Sequence, residues 1–167
     1  MGGAFNWLFR LERQGVDVGA RWVEIADKAE ARIGDCLSAF TLPHWMMALV
    51  ATKRWDAAER MIAAMQQDPA SGAPLLHDAA LPICRAILAN AKGDPAPALA
   101  HMRPALPRMP GLGGSHAQQD VLVQVYLDCA TAAKSTADID RALAHVATTY
   151  QTKPETRVGY GHAAREV

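Results

Sequence analysis

Four polar side chains in this sequence could carry chemistry: His44, Arg85, His116 and Asp120. Histidine moves protons or ligates a metal near neutral pH, aspartate accepts hydrogen bonds, and arginine grips carboxylates and phosphates. The most suggestive spacing lies in Gly113-Gly114-Ser115-His116-Ala117-Gln118-Gln119-Asp120. Gly113-x-Ser115 beside His116 has the start of a nucleophile elbow. Such an elbow needs a strand before the serine, a helix after it and usually a glycine at the fifth position. Here Pro107-Arg108-Met109-Pro110-Gly111-Leu112 comes first, which cannot be a central strand, and the fifth position is Ala117. Adjacent helical residues also point about 100° apart, so Ser115 and His116 diverge. Ser115 with Gln118 three residues on is instead a capping box, a hydroxyl serving one backbone amide while the glutamine serves the cap. No catalytic residue is assigned.

Metal ligation is the second possibility. His116 and Asp120 are spaced i, i+4 on one helical face, and His44 opens another helix. Further ligands would have to come from His77, Asp78 or His101, and no His-Glu-x-x-His or paired-cysteine pattern is present. No metal and no cofactor is expected. The third possibility is a polar groove. His44, Arg85, His116 and Asp120 fall on the first helices of successive helix pairs, so they converge if those helices line one face. The competing reading is structural, with Arg85 paired to Asp120 or Asp78 as an internal ion pair that fixes the packing. Trp45, near Trp55, joins the groove set as the best exposed-aromatic candidate for a partner hot spot. The rest of the stripe (Met46, Met47, Met61, Met65) is most simply core.

The elements that position these residues are helices. Phe5, Leu8, Phe9 and Leu11 form one amphipathic run stopped by Gly15, and Val18, Trp22, Ile25, Ala26, Ala29 and Ile33 form a second, with Asp17 placed to cap it and Gly34 to close it. A third begins near Thr41 with Pro43 in its first turn, and a fourth at Trp55 after a turn of about two residues, which forces the pair antiparallel. Asp68–Pro74 reads as a loop; Asp78–Lys92 is a helix stopped by Gly93. Asp94-Pro95 starts a short sixth helix, broken by Pro104, Pro107 and Pro110; His116–Ala133 and Ala137–Tyr150 complete the set. The pairs span about 4–33, 41–67, 78–103 and 115–150, within one domain over 1–154, and 155–167 is a loose or partly helical tail. Ala58, Ala98 and Ala142 recur at matching places, where two helices of a pair approach most closely. No run of β-branched residues alternates as a strand would. The fold class is all-α: about eight helices in antiparallel pairs, stacked as a tetratricopeptide-like right-handed solenoid whose first helices line the concave side.

Composition agrees. Half of the 167 residues are hydrophobic and 20% are charged. Lys+Arg and Asp+Glu both number 17, so no basic excess points to nucleic acid. The longest apolar run, Trp45–Ala51, is far short of a membrane span of about 20 residues, and Met1-Gly2-Gly3-Ala4 lacks the basic start of a signal peptide. Cys36, Cys84 and Cys129 are too far apart for a metal knuckle and odd in number, which points to reduced thiols in a cytoplasmic protein.

Several segments then resemble one family. Leu8-Phe9-Arg10-Leu11-Glu12 with Gly15-Val16-Asp17-Val18-Gly19 and Arg21-Trp22 is similar to the tetratricopeptide repeat protein 38 family. So are Phe40…His44 with Met46-Met47-Ala48, Leu81-Pro82-Ile83-Cys84-Arg85-Ala86, and Gly113–Val121, in the same order along most of the chain. They correspond to the C-terminal part of longer members. Thr41-Leu42 and Gln119 replace the Asn-Asp and Arg typical there. The resemblance implies a helical-repeat fold and no established chemistry. The expected function is a non-enzymatic interaction module or scaffold that binds a protein or peptide, a second copy included, and neither nucleic acid nor membrane. The alternative is a small-molecule-binding or hydrolase-like domain using the His/Arg/Asp cluster on the concave face.

Overall fold

A computed structural model describes residues 2–68 and 74–161, with side chains from Phe5 onward. Most of the expected loop at 68–74, and residues 162–167 of the tail, lie outside the described residues. The described residues form eight α-helices and no strand: α1 Gly2–Arg13, α2 Arg21–Glu30, α3 Thr41–Ala51, α4 Trp55–Gln67, α5 Leu81–Ala91, α6 Pro95–Ala105, α7 His116–Ala132 and α8 Thr136–Tyr150. The fold is all-α, and none of these helices is long and apolar enough to cross a membrane.

The same turn follows each odd-numbered helix. After α1, α3, α5 and α7 a residue takes a left-handed conformation: Gly15 at φ 76°, Lys53 at 56°, Gly93 at 88° and Lys134 at 52°. The next amide then reaches back five residues, Val16 to Leu11, Arg54 to Leu49, Asp94 to Ala89 and Ser135 to Ala130, each at 2.9–3.0 Å. This is the Schellman arrangement, which satisfies the last carbonyls of the first helix and aims the chain back along it. Two of the four positions are glycine, which adopts that conformation at no steric cost; two are lysine, which does not. Ala58, Ala98 and Ala142 are fully buried, as expected for close helix approach.

Packing runs through the odd-numbered helices. α3 contacts α2, α4 and α5, while α7 contacts α5, α6, α8 and α1. Eight consecutive residues of α3, Leu42–Leu49, are buried, and α7 is buried on nearly every side from Gln119 to Leu127. Met46, Met47, Met61 and Met65 are core, as their spacing suggests. The decisive contact is α1 on α7 and α3. α1 lies across the face that α3 and α7 would otherwise present.

Local departures have local causes. Asp17 does not cap α2; its carboxylate accepts the Gly19 amide at 2.7 Å, closing a turn, and α2 starts at Arg21. α2 also ends at Glu30, short of Ile33. The fifth helical run begins earlier than expected, through a π-helical turn over Leu76–Ala80 that closes with the Leu81 amide on Leu76. Pro82 has no N–H for the carbonyl a turn behind it, and a widened turn accommodates its ring. Pro104 does not break α6, which reaches Ala105 and tightens into a 3₁₀ segment at Leu106–Leu112. Up to Gly161 the tail is mostly exposed; a 3₁₀ turn at Pro154–Thr156 leads to Tyr160, which is completely buried.

Candidate functional site

The capping box at Ser115 is present, with the Ser115 amide donating to Gln118 Oε1 at 2.9 Å, so the elbow-like letters mark a helix start. Gly113 and Gly114 have φ of 84° and 83°. A Cβ on Gly114 would lie 2.4 Å from Cε2 of Phe40. The glycines thus let the α3 entry pack against the α7 entry. Gln119 ties this corner down by donating to Pro110 O at 3.2 Å and Gly113 O at 3.0 Å.

His44 is 2% exposed. Its Nδ1 is 2.9 Å from Phe40 O, and its ring is packed against Phe40 and Phe5 at centroid distances of 4.8 and 5.7 Å. Burial lowers its pKa, and the Phe40 and Gln118 backbones oppose this more weakly; Nε2 lacks a partner of hydrogen-bonding geometry. Trp45, expected to be exposed, is 8% exposed. It packs edge-on to Phe5 at 5.2 Å with the Arg32 guanidinium over its ring.

Asp120 is 1% exposed and fully engaged. Oδ2 accepts Arg10 Nη2 at 2.9 Å and Gln124 Nε2 at 2.8 Å, and Oδ1 accepts Arg157 Nη2 and the Tyr160 hydroxyl, both at 2.9 Å. Arg10 also donates to Ala117 O at 2.9 Å. One carboxylate thereby fastens α1 and the C-terminal tail to α7. Burial, then the Asp120 charge, push the Tyr160 phenol far above its usual pKa, so it remains a donor. His116, one turn away, is exposed with its ring 5.5 Å from Tyr150, and the Arg157 guanidinium covers the Tyr150 ring at 4.4 Å.

Arg85 does not join this group. Among the described residues it pairs with neither Asp120, whose arginines are Arg10 and Arg157, nor Asp78. It stands near His101, whose pKa is lowered by burial and then by the Arg85 charge. The internal ion pair considered from the sequence therefore exists at Asp120 with different partners. The polar set does not converge on an open groove: His44 is enclosed, Asp120 is saturated, His116 faces outward and Arg85 lies apart. Among the described residues, no three His, Cys, Asp or Glu side chains come close enough to hold a metal.

A second carboxylate is held in the same manner and was not singled out in the sequence. Asp138, 2% exposed, accepts bonds from Arg103, Arg141, the Tyr126 hydroxyl at 2.6 Å and the Ser135 hydroxyl at 2.6 Å. Its pKa is depressed, chiefly by Arg103, against the cost of burial, with Ser135 and Tyr126 adding to the effect. Ser135-x-x-Asp138 is itself a cap-like pattern, and that signal could have found it.

The open surface lies elsewhere. Trp7 is 69% exposed beside a cleft of about 380 Å³ between α1 and α2. Phe5, Leu8, Ile25 and Trp45 form its floor, and Arg21, Glu24 and Lys28 are its charged walls. Trp7 is one helical step off the buried Phe5–Leu8 face, a position periodicity assigns to solvent and so passes over. No protein-family model matches the chain, and no solved structure matches it.

Proposed function

We propose that this chain is a non-enzymatic helical-repeat module that binds a protein or peptide segment in the α1–α2 cleft, with Trp7 as the anchor. The observation that carries this is Trp7 itself, a large aromatic left 69% exposed beside an apolar floor with a charged rim. Interface hot spots have that anatomy, an aromatic anchor and a polar surround. A partner helix with one or two apolar anchors and charges of both signs would suit it, since Glu24 and Lys28 carry both signs along the α2 edge of the rim, paired at 2.6 Å.

The repeat reading has its own support. The four-times-repeated turn, the buried Ala58, Ala98 and Ala142, and the α3–α5–α7 stacking are what a tetratricopeptide-like right-handed solenoid requires. In that reading α1 fills the concave face, which moves the binding surface to the outer side of α1. The proposed kinship with the tetratricopeptide repeat protein 38 family rests on motifs that meet in space, Phe40 against Gly114 and His44 beside the Gln118 backbone. A cytoplasmic location is proposed from three thiols that remain free.

The test compares wild type with Trp7→Ser in partner capture and light scattering. Trp7→Ser is expected to lose captured partners, or self-association, at an unchanged unfolding midpoint. Retention of the same partners and the same mass at equal stability would overturn the proposal.

A further inference from the structure

Phe5 belongs to two structures at once. It floors the Trp7 cleft, edge-on to Trp45 at 5.2 Å, and it also packs on the His44 ring at 5.7 Å. One aromatic side chain thus joins the cleft to a buried imidazole. Phe40 covers the same ring at 4.8 Å, Nδ1 is 2.9 Å from Phe40 O, and Nε2 is enclosed without a partner of hydrogen-bonding geometry. A neutral ring tolerates this box, because one nitrogen donates to Phe40 O and the other carries no proton. An imidazolium brings a second N–H and a full charge into apolar surroundings, which is costly.

Three elements meet His44: α1 through Phe5, the entry to α3 through Phe40, and the start of α7 through Gln118. The groups on them that stand charged or titrate between about pH 5 and 8 are Arg10, Glu12 and Arg13 on α1, Asp35 before α3, and His116, Asp120 and Asp128 on α7. None of these contributes to the lowering of the His44 pKa, which comes from burial against weaker opposition by the two backbones. Asp128 acts with the opposite sign: burial raises its pKa, so a proton there favours the docked α1.

We propose that His44 is an acid-sensitive latch on α1: a proton on its ring lifts the Phe5 end of α1 from α3 and takes the Trp7 cleft apart. α1 is fastened through Phe5, Leu8, Arg10 and Arg13, few enough side chains for it to open before the core does. The latch is closed above about 6.5, the value of a free imidazole, and each pH unit below that favours release by up to about tenfold. Loss of partner binding in acid rests on the Trp7 reading; release of α1 does not.

The test is hydrogen exchange of the full chain, read by mass spectrometry on peptides covering α1 and α7. It is run at pH about 7.5 and about 5.5, one unit either side of a free imidazole, and corrected for the intrinsic pH dependence of exchange. The α1 amides are expected to open more readily than those of α7, and their opening should rise about tenfold at the lower pH. In His44→Phe and in His44→Gln, neither of which can take the proton, that rise should vanish. A single opening equilibrium shared by α1 and α7, a wild-type rise below about twofold, or the same rise in either variant would overturn the proposal. No partner enters this readout, so its failure and that of the Trp7 reading are separately visible.

Discussion

Replacing Asp120 by asparagine preserves the shape of the side chain and removes its charge and one acceptor. Each oxygen accepts two bonds, one from an arginine and one from a neutral donor. Whichever oxygen becomes an amide nitrogen, an arginine and a second donor lose their acceptor. Breaking a buried ion pair from one side costs about 3–5 kcal/mol. Arg10 and Arg157 are 30% and 26% exposed, so both recover some hydration by turning outward. The lower end, about 3 kcal/mol, is therefore expected. For a chain of this size that corresponds to a fall in Tm of about 6–12 °C. Urea unfolding followed by tryptophan fluorescence and far-ultraviolet circular dichroism measures the loss. Arg157→Ala should show coupling to Asp120→Asn of at least about 1 kcal/mol in a double-mutant cycle, because both remove the same bond. A loss below about 1 kcal/mol, or additive effects, would refute the idea that this carboxylate clasps the two ends of the chain onto α7.

Gly114→Ala should destabilise the protein by about 2 kcal/mol or more, since it adds both a left-handed penalty and an overlap with Phe40. Gly113→Ala meets open space, yet at φ 84° and ψ −161° its backbone is open essentially to glycine alone, so it should cost about 1–3 kcal/mol; a loss for Gly114→Ala below about 1 kcal/mol in chemical unfolding would show that the Phe40 contact is unimportant. Stability should also fall on acidification through His44. Its folded pKa is lowered by burial, so the unfolded chain binds the extra proton first. The His44 contribution is thus complete above the unfolded value of about 6.5 and declines as pH falls from there toward the folded pKa. His44→Phe should flatten the slope of unfolding free energy against pH across that window, and an unchanged slope would count against a buried neutral imidazole.

Much of the architecture is legible from local chemistry. The helices of the pairs, the capping box at Ser115 and the stops at Gly15 and Gly93 follow from periodicity and backbone preference, which act within a turn or two of chain. Lys53 and Lys134 occupy the same left-handed position with a residue that gives no such signal, and only the recurrent spacing of the pairs hinted at their turns. The Leu76–Ala80 π turn and the continuation of α6 past Pro104 were hidden for a related reason, because proline announces a lost hydrogen bond without saying how the helix absorbs it.

The site belongs to tertiary structure. His44 lies on α3, Arg85 on α5, and His116 and Asp120 on α7. What each of them faces depends on α1 docking onto α7 and on the tail bringing Arg157 and Tyr160 to Asp120, contacts that join residues 37 to 110 positions apart. Such pairings are selected by the shape and charge left over once the helices have formed. Periodicity therefore determined which residues lie on helices and which of their faces are apolar. The long-range contacts decided that Asp120 is a clasp, that Trp45 is core and that Trp7 is left facing water.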